Sequence, residues 1–259
     1  MRDFKGIIPG MFTVGNLACG FGSIIVSSRA SISSSYATNL FEAVWLIILA
    51  SFFDFLDGLV ARFSRTYSRI GVELDSLTDI VSFGVAPAVL LVSFSLIRHG
   101  NWAWILAFVY LMAGAYRLAR FNLSATLEKK ANFLGLPIPS AAIVIVSYIL
   151  FSYEVWGEIM MEKFFIILIL VTSALMVSTV EFEAMPKFDF SKFRNRIKVL
   201  IIFAGAIAIM INASLVIFPL ASIYILYGVV RLMITLFVGD KAAARQSAGL
   251  AKTQGEKSG

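Results

Sequence analysis

Apolar runs long enough to cross a bilayer recur along nearly the whole chain, and they restrict its fold more than any other feature. Eight candidate spans fall at 9–28, 40–60, 79–97, 102–121, 138–151, 164–180, 199–211 and 215–237. The fifth and seventh are short against the ~20-residue norm and borrow flanking residues. Asn212 and Pro219 blur the division of the last pair; one kinked or re-entrant element there would leave seven spans. A mean hydropathy of +0.87 lies beyond an ordinary soluble domain. The expected fold class is all-α: a polytopic transmembrane helical bundle whose core lies between helices.

Charge orients the bundle. With the N-terminus cytoplasmic, all but four of the 22 Lys and Arg residues fall in cytoplasmic pieces. The exceptions are Arg29, Arg98 and Lys163 outside, and Arg231 within the last span. The positive-inside rule therefore supports eight spans with both termini cytoplasmic, and it accounts for the formal charge of +6 without nucleic acid. The single cysteine, Cys19, excludes an intrachain disulfide. His99 sits in an external turn and reads as a surface residue. Trp45, Trp102, Trp104 and Trp156 fall where interfacial anchors belong.

Against this apolar background the stretch from Asp54 to Asp79 stands out. Intramembrane charges are expensive, so a cluster of them reads as a functional site. Asp54 and Asp57 share a helix face at i, i+3, and Asp75 and Asp79 share one at i, i+4 on the next helix. Facing each other, they would gather four carboxylates in one polar chamber at the cytoplasmic boundary. Such a chamber needs protons or cations to offset repulsion. All-oxygen ligation suits Mg²⁺ or Mn²⁺, and carboxylate pairs on facing helices can hold two ions. Arg62 adds a planar donor suited to phosphate. A transporter's cation site or a polar vestibule would use the same carboxylates.

The full pattern is D-x-x-D-G-x-x-A-R, eight residues, then G-x-x-x-D-x-x-x-D, at Asp54, Asp57, Gly58, Ala61, Arg62, Gly71, Asp75 and Asp79. It resembles the signature of the CDP-alcohol phosphatidyltransferases. Three further phrases are similar to the integral-membrane phosphatidylserine synthases within that family: E-L-D-S-L-x-D-x-x-S-F-G-x-A-P at Glu73–Pro87, R-L-A-R-F-N at Arg117–Asn122, and F-x-G-L-P-x-P at Phe133–Pro139. The opening I-P-x-x-x-T-x-x-N-x-x-x-G from Ile8 to Gly20 is similar too, with Gly10 where many relatives have Asn.

The resemblance implies a six-helix catalytic core over 1–182; the apolar runs add a loop and C-terminal helix pair over 183–239, and a composition rich in Ala, Lys, Gln and Gly gives a flexible tail, a frayed helix or disordered, over 240–259. The resemblance also implies that Asp54, Asp57 and Asp75 ligate a divalent pair, Mg²⁺ or Mn²⁺, and that Asp79 contacts that site and acts as the catalytic base. Asp57, Gly58, Ala61, Arg62, Gly71 and Asp75 would form the CDP-binding surface. The implied reaction moves a phosphatidyl group from CDP-diacylglycerol to L-serine, releasing CMP, by direct attack of the serine oxygen. Acyl chains would enter from the surrounding membrane lipids. A homodimer in a bacterial plasma or inner membrane is implied as well. Other acceptors or lipids of the same family, such as glycerol phosphate, inositol phosphate or an archaeal-type lipid, form the alternative.

Several residues carry two readings. Arg117 and Arg120 either anchor the fourth span or bind serine carboxylate or lipid phosphate. Thr13 and Asn16, one turn apart, face phosphate or make an interhelical hydrogen bond. Ser82, Phe83, Gly84 and Pro87 line the serine side of the cavity, allow close helix packing, or do both. Asn122 shapes the acceptor pocket or satisfies a loop carbonyl.

Overall fold

The computed structural model describes residues 4–29, 36–64, 69–95, 102–127, 134–160, 162–180, 205 and 207–255. Helix is what a chain in hydrocarbon needs, because each backbone N–H then finds a partner within its own segment. Among the described residues there is no strand. The helices are α1 (Phe4–Ser28), α2 (Tyr36–Ser64), α3 (Arg69–Asp79), α4 (Ala86–Leu90), α5 (Trp102–Leu127), α6 (Ile138–Trp156), α7 (Glu162–Val177) and α8 (Ala213–Gly255).

Among the described residues, six segments are long and apolar enough to cross a membrane: Gly10–Ser28, Tyr36–Ala61, Ile70–Phe94, Trp102–Leu123, Ile138–Trp156 and Ala213–Ile234. Helix α7 coincides with the sixth expected span, but its 16 residues fall short of that length. Most of the expected 199–211 span lies outside the described residues, as do 181–198, the Ser-rich turn and His99. Asn212 settles the division before the last span. It interrupts the helix, and its side-chain oxygen accepts the Leu215 N–H at 3.1 Å, an N-cap that starts α8. The helix then runs to Gly255.

The third span begins near Ile70, not at Asp79. Arg69, Glu73 and Asp75 give its first turns the look of a loop, yet they are helical. The span is not α-helical throughout. Wider π turns at Ile80–Val85 and Leu91–Ser95 flank α4, where Ala86 N–H reaches back five residues to the Val81 carbonyl. Pro87 has no N–H to offer the Phe83 carbonyl, which accepts the Tyr110 hydroxyl at 2.8 Å instead. Tyr110 is fully buried, so this bond replaces a backbone partner where water cannot.

Helix α1 packs along α2 and also touches α3, the first π segment and α4, while α5 packs on α7. Helix α6 lies centrally between α2 and α8. Its Val144–Leu150 run is buried on every side, as an all-round apolar helix should be. Tyr148 stacks on Phe165 at 4.9 Å and meets Phe218 edge-on at 5.1 Å, joining α6 to α7 and α8. Trp102 and Trp104 point outward, in keeping with their reading as anchors.

Candidate active site

The α2 and α3 faces meet as their spacing predicts, in a three-plus-one arrangement. One carboxylate oxygen each from Asp54, Asp75 and Asp79 lies within 4.8 Å of the others. At an effective dielectric near 20, each such pair of full charges repels by about 3 kcal/mol. Three like charges so placed need compensation, and the oxygens stand close enough to share a divalent cation after small side-chain movements. Asp57 stands beside this trio, within electrostatic reach of Asp54 and Asp75. It is turned toward α1, where the Thr13 hydroxyl donates to its Oδ2 at 2.6 Å. Its other oxygen, Oδ1, is buried without a hydrogen-bond partner. A buried carboxylate oxygen with no donor is what a cation site leaves behind when described without its ion.

Helix α1 thus holds the site from the opposite side. Asn16, one turn after Thr13, donates through Nδ2 to Asp79 Oδ1 at 3.4 Å, and its own backbone carbonyl accepts Ser82 Oγ at 3.1 Å. Both α1 residues therefore make interhelical bonds to the carboxylates. The contact is tight: a Cβ on Gly20 would lie 2.6 Å from Ser82 Cα.

Gly58 is the opposite case. It is exposed on α2 next to Asp57, and a Cβ there would meet nothing within 4 Å. Protein packing does not ask for this glycine, which leaves open backbone beside the carboxylates for a ligand to approach. Gly58→Ala should fold with unchanged or slightly higher stability, since alanine in a helix gains up to about 1 kcal/mol. Its affinity for the CDP-linked lipid that the sequence resemblance implies should fall about tenfold or more, equivalent to about 1.4 kcal/mol. Equilibrium binding and a thermal melt measure the two effects separately; unchanged binding would take Gly58 out of the ligand surface. Ala61 follows on the same helix, partly buried, and Gly71 is exposed in the first turns of α3. Arg62 lies on α2, but its side chain is outside the described residues.

The two arginines of α5 part company. Arg120 donates to four carbonyls: Val177 at 2.9 Å from one nitrogen, and Leu134, Met176 and Ser178 at 2.8, 3.3 and 2.9 Å from the other. It caps the C-terminus of α7, where carbonyls lack partners and a cation is favoured. Gly135 passes beneath it at φ 79°, with no room for a Cβ beside the Met176 oxygen. This geometry supports anchoring for Arg120. Arg117 is buried, its Nε has no hydrogen-bond partner, and it lies within electrostatic reach of Asp79 and Asp54. Of the two, Arg117 is the one placed to meet an anion in the chamber.

Ser82, Phe83, Gly84 and Pro87 are buried against α1 and α5. Their visible work is packing: Ser82 on Asn16, the Phe83 carbonyl on Tyr110, and Gly84 close to Leu111. Asn122 donates to Ser76 Oγ at 3.1 Å, tying α5 to α3 one residue from Asp75. Sequence reasoning missed Tyr110, Ser76 and Tyr224 of α8, the last within electrostatic reach of Arg117. Tyr110 had a signal, since a proline inside an apolar span orphans a carbonyl that some hydroxyl must serve.

Fold and site together define a multi-pass membrane protein built around a cluster of carboxylates able to hold a cation. The chain belongs to the CDP-alcohol phosphatidyltransferase family, whose model matches residues 6–178. Over 227 residues it is 32% identical to the CDP-diacylglycerol–serine O-phosphatidyltransferase of Helicobacter pylori, covering 87% of this chain and 90% of that protein. The enzyme of the same name from Methanocaldococcus jannaschii is 34% identical over 194 residues, 74% of this chain and 85% of its own. The archaetidylserine synthase of Methanothermobacter thermautotrophicus is 34% identical over 185 residues, 70% of each chain.

Proposed function

We propose that this enzyme transfers the phosphatidyl group of CDP-diacylglycerol to L-serine, giving phosphatidylserine and CMP. The observation that carries the reading is the Asp54, Asp75 and Asp79 trio, supported from α1 through Thr13 and Asn16 and bordered by Arg117. The similar proteins support the acceptor most directly. Serine is named in the bacterial and both archaeal relatives, whereas the lipid differs between the phosphatidyl and archaetidyl names.

Asp79, the buried end of the trio, accepts the proton of the serine hydroxyl. The serine oxygen forms its bond to the phosphorus nearest diacylglycerol as the bond from that phosphorus to the CMP oxygen breaks, and CMP leaves with the electron pair. Asp54, Asp57 and Asp75 would hold two divalent ions, Mg²⁺ or Mn²⁺, with Asp79 contacting the same site. When bound, those ions supply charge neutralisation for the pyrophosphate and the leaving CMP. Gly58 and Ala61 leave the nucleotide room against α2, and Arg117 engages a phosphate or the serine carboxylate. The reading extends to a homodimer in a bacterial inner membrane with cytoplasmic termini. Light scattering in detergent tests the dimer, and accessibility of cysteines placed at the termini tests the orientation.

The deciding assay measures CMP release by the purified full chain in micelles containing CDP-diacylglycerol. Release should require both L-serine and added Mn²⁺ or Mg²⁺, match phosphatidylserine formed, and stop with chelator. Serine-independent release, or release only with glycerol 3-phosphate or inositol phosphate, would replace serine as the acceptor. Activity undiminished after exhaustive chelation would overturn the metal assignment.

A further inference from the structure

Two acids of the trio, Asp75 and Asp79, belong to α3, and much of that helix stands clear of its neighbours. Residues 70–74 are exposed, and α3 packs chiefly on α1 and on the π segment that follows Asp79. A π turn interrupts the i to i+4 ladder, so the polar end of this span is not a rigid extension of α4. Side chains on either flank steady it. From α1, Asn16 donates to Asp79 at the buried end. From α5, the Asn122 amide straddles the Ser76 hydroxyl: Nδ2 donates to Oγ at 3.1 Å, and Oγ lies 3.4 Å from Oδ1. Ser76 follows Asp75 directly and precedes Asp79 by one helical turn, while Asn122 follows Arg117 on α5. The pair therefore joins the helix of the acids to the helix of the chamber arginine. Both polar atoms of the Asn122 side chain face Ser76, which favours a role exerted through α3 over a direct hold on the acceptor.

We propose that Asn122 and Ser76 are positioning residues: their hydrogen bond latches α3 to α5, so that Asp75 and Asp79 stay within cation-sharing distance of Asp54. The inference rests on the reading of the carboxylates as a divalent-cation site. Asp54 comes from a different helix, so a small tilt of α3 about the π turn parts it from the other two acids. Without the latch every carboxylate is still present, but gathering them becomes a cost charged to each binding event. Preorganisation by the latch removes that cost in advance. The same bond sets the spacing between the acids and Arg117.

The test measures Mn²⁺ binding to the purified full chain without substrates, with free Mn²⁺ counted by electron paramagnetic resonance. Ser76→Ala should weaken Mn²⁺ affinity about fivefold, the scale of one neutral hydrogen bond. Asn122→Leu should weaken it as much, and the double variant no further, because all three lack the same bond. Ser76→Thr keeps the hydroxyl and should bind Mn²⁺ like wild type. At saturating Mn²⁺ the KM for serine should stay near wild type in every variant. Unchanged affinity in Ser76→Ala, additive losses in the double variant, or equal losses in Ser76→Thr and Ser76→Ala would overturn the proposal. So would a raised serine KM in Asn122→Leu with Ser76→Ala unaffected, the mark of direct acceptor contact. If Asn122→Leu does not fold, Ser76→Ala beside Ser76→Thr decides alone. Wild type that binds no Mn²⁺ would defeat the cation-site reading and the latch with it; wild-type binding with unaffected variants defeats only the latch.

Discussion

Asp79→Asn should yield a folded protein whose turnover falls about a thousandfold or more, within the range expected when a positioned general base is lost. The substitution keeps the shape of the side chain and an oxygen that can still accept Asn16 Nδ2. It removes one of three carboxylates gathered within 4.8 Å, any two of which, when both are ionised, repel by about 3 kcal/mol at the same effective dielectric. Without divalent ions, the variant should therefore melt no lower than wild type, and higher if repulsion outweighs the lost bond. Adding Mn²⁺ should stabilise wild type more than the variant, because a ligand that binds only the folded state raises stability with the logarithm of its affinity. Parallel melts and CMP assays measure all three effects. Retained turnover would remove Asp79 from the base role, and equal Mn²⁺ stabilisation would remove it from the cation site.

Gly20→Ala should be the most damaging single methyl in the α1 interface. The added Cβ would sit 2.2 Å from Ser82 Oγ and 2.6 Å from Ser82 Cα. The second distance decides the matter: a hydroxyl can rotate, but a backbone carbon moves only with its helix. Overpacking of this kind costs about 1–3 kcal/mol and more where backbone must shift. Activity should fall with stability, since lifting α1 from the third span withdraws Asn16 from Asp79 and Thr13 from Asp57. Ser82→Ala should not rescue the variant, because the clash with the backbone of the third span remains. Gly10→Ala is the control: a Cβ there meets nothing within 4 Å, so melting temperature and turnover should stay near wild type. A Gly20→Ala protein with wild-type stability and turnover would show that α1 is free to move.

The parts of this architecture that were legible in sequence are those governed by composition and short-range periodicity. Long apolar runs located α2, α5, α6 and the membrane span at the start of α8 to within a few residues, because bilayer thickness sets the length of a span. The i, i+3 and i, i+4 spacings placed the carboxylates on facing helices. The start of the third span was not legible, since Arg69, Glu73 and Asp75 are polar and so hide a helix. Arg117 and Arg120 are identical in type and three residues apart, and only the position of the α7 terminus separates a helix cap from a chamber cation. Tyr224 was invisible because its nearness to Arg117 arises only in the tertiary fold. The π turns around Pro87 leave no distinctive period to read.

The dependence of the carboxylates on α1 also has a temporal side. The chain emerges from the ribosome with α1 first, then α2 and α3 bearing their acids. On the translocon-insertion scale an aspartate at a span's centre costs up to about 3 kcal/mol, and α3 carries two. A hydroxyl at Thr13 and an amide at Asn16 serve one acid on each of the next two helices, Asp57 of α2 and Asp79 of α3. The order of the chain thus places these polar partners ahead of the acids they bond.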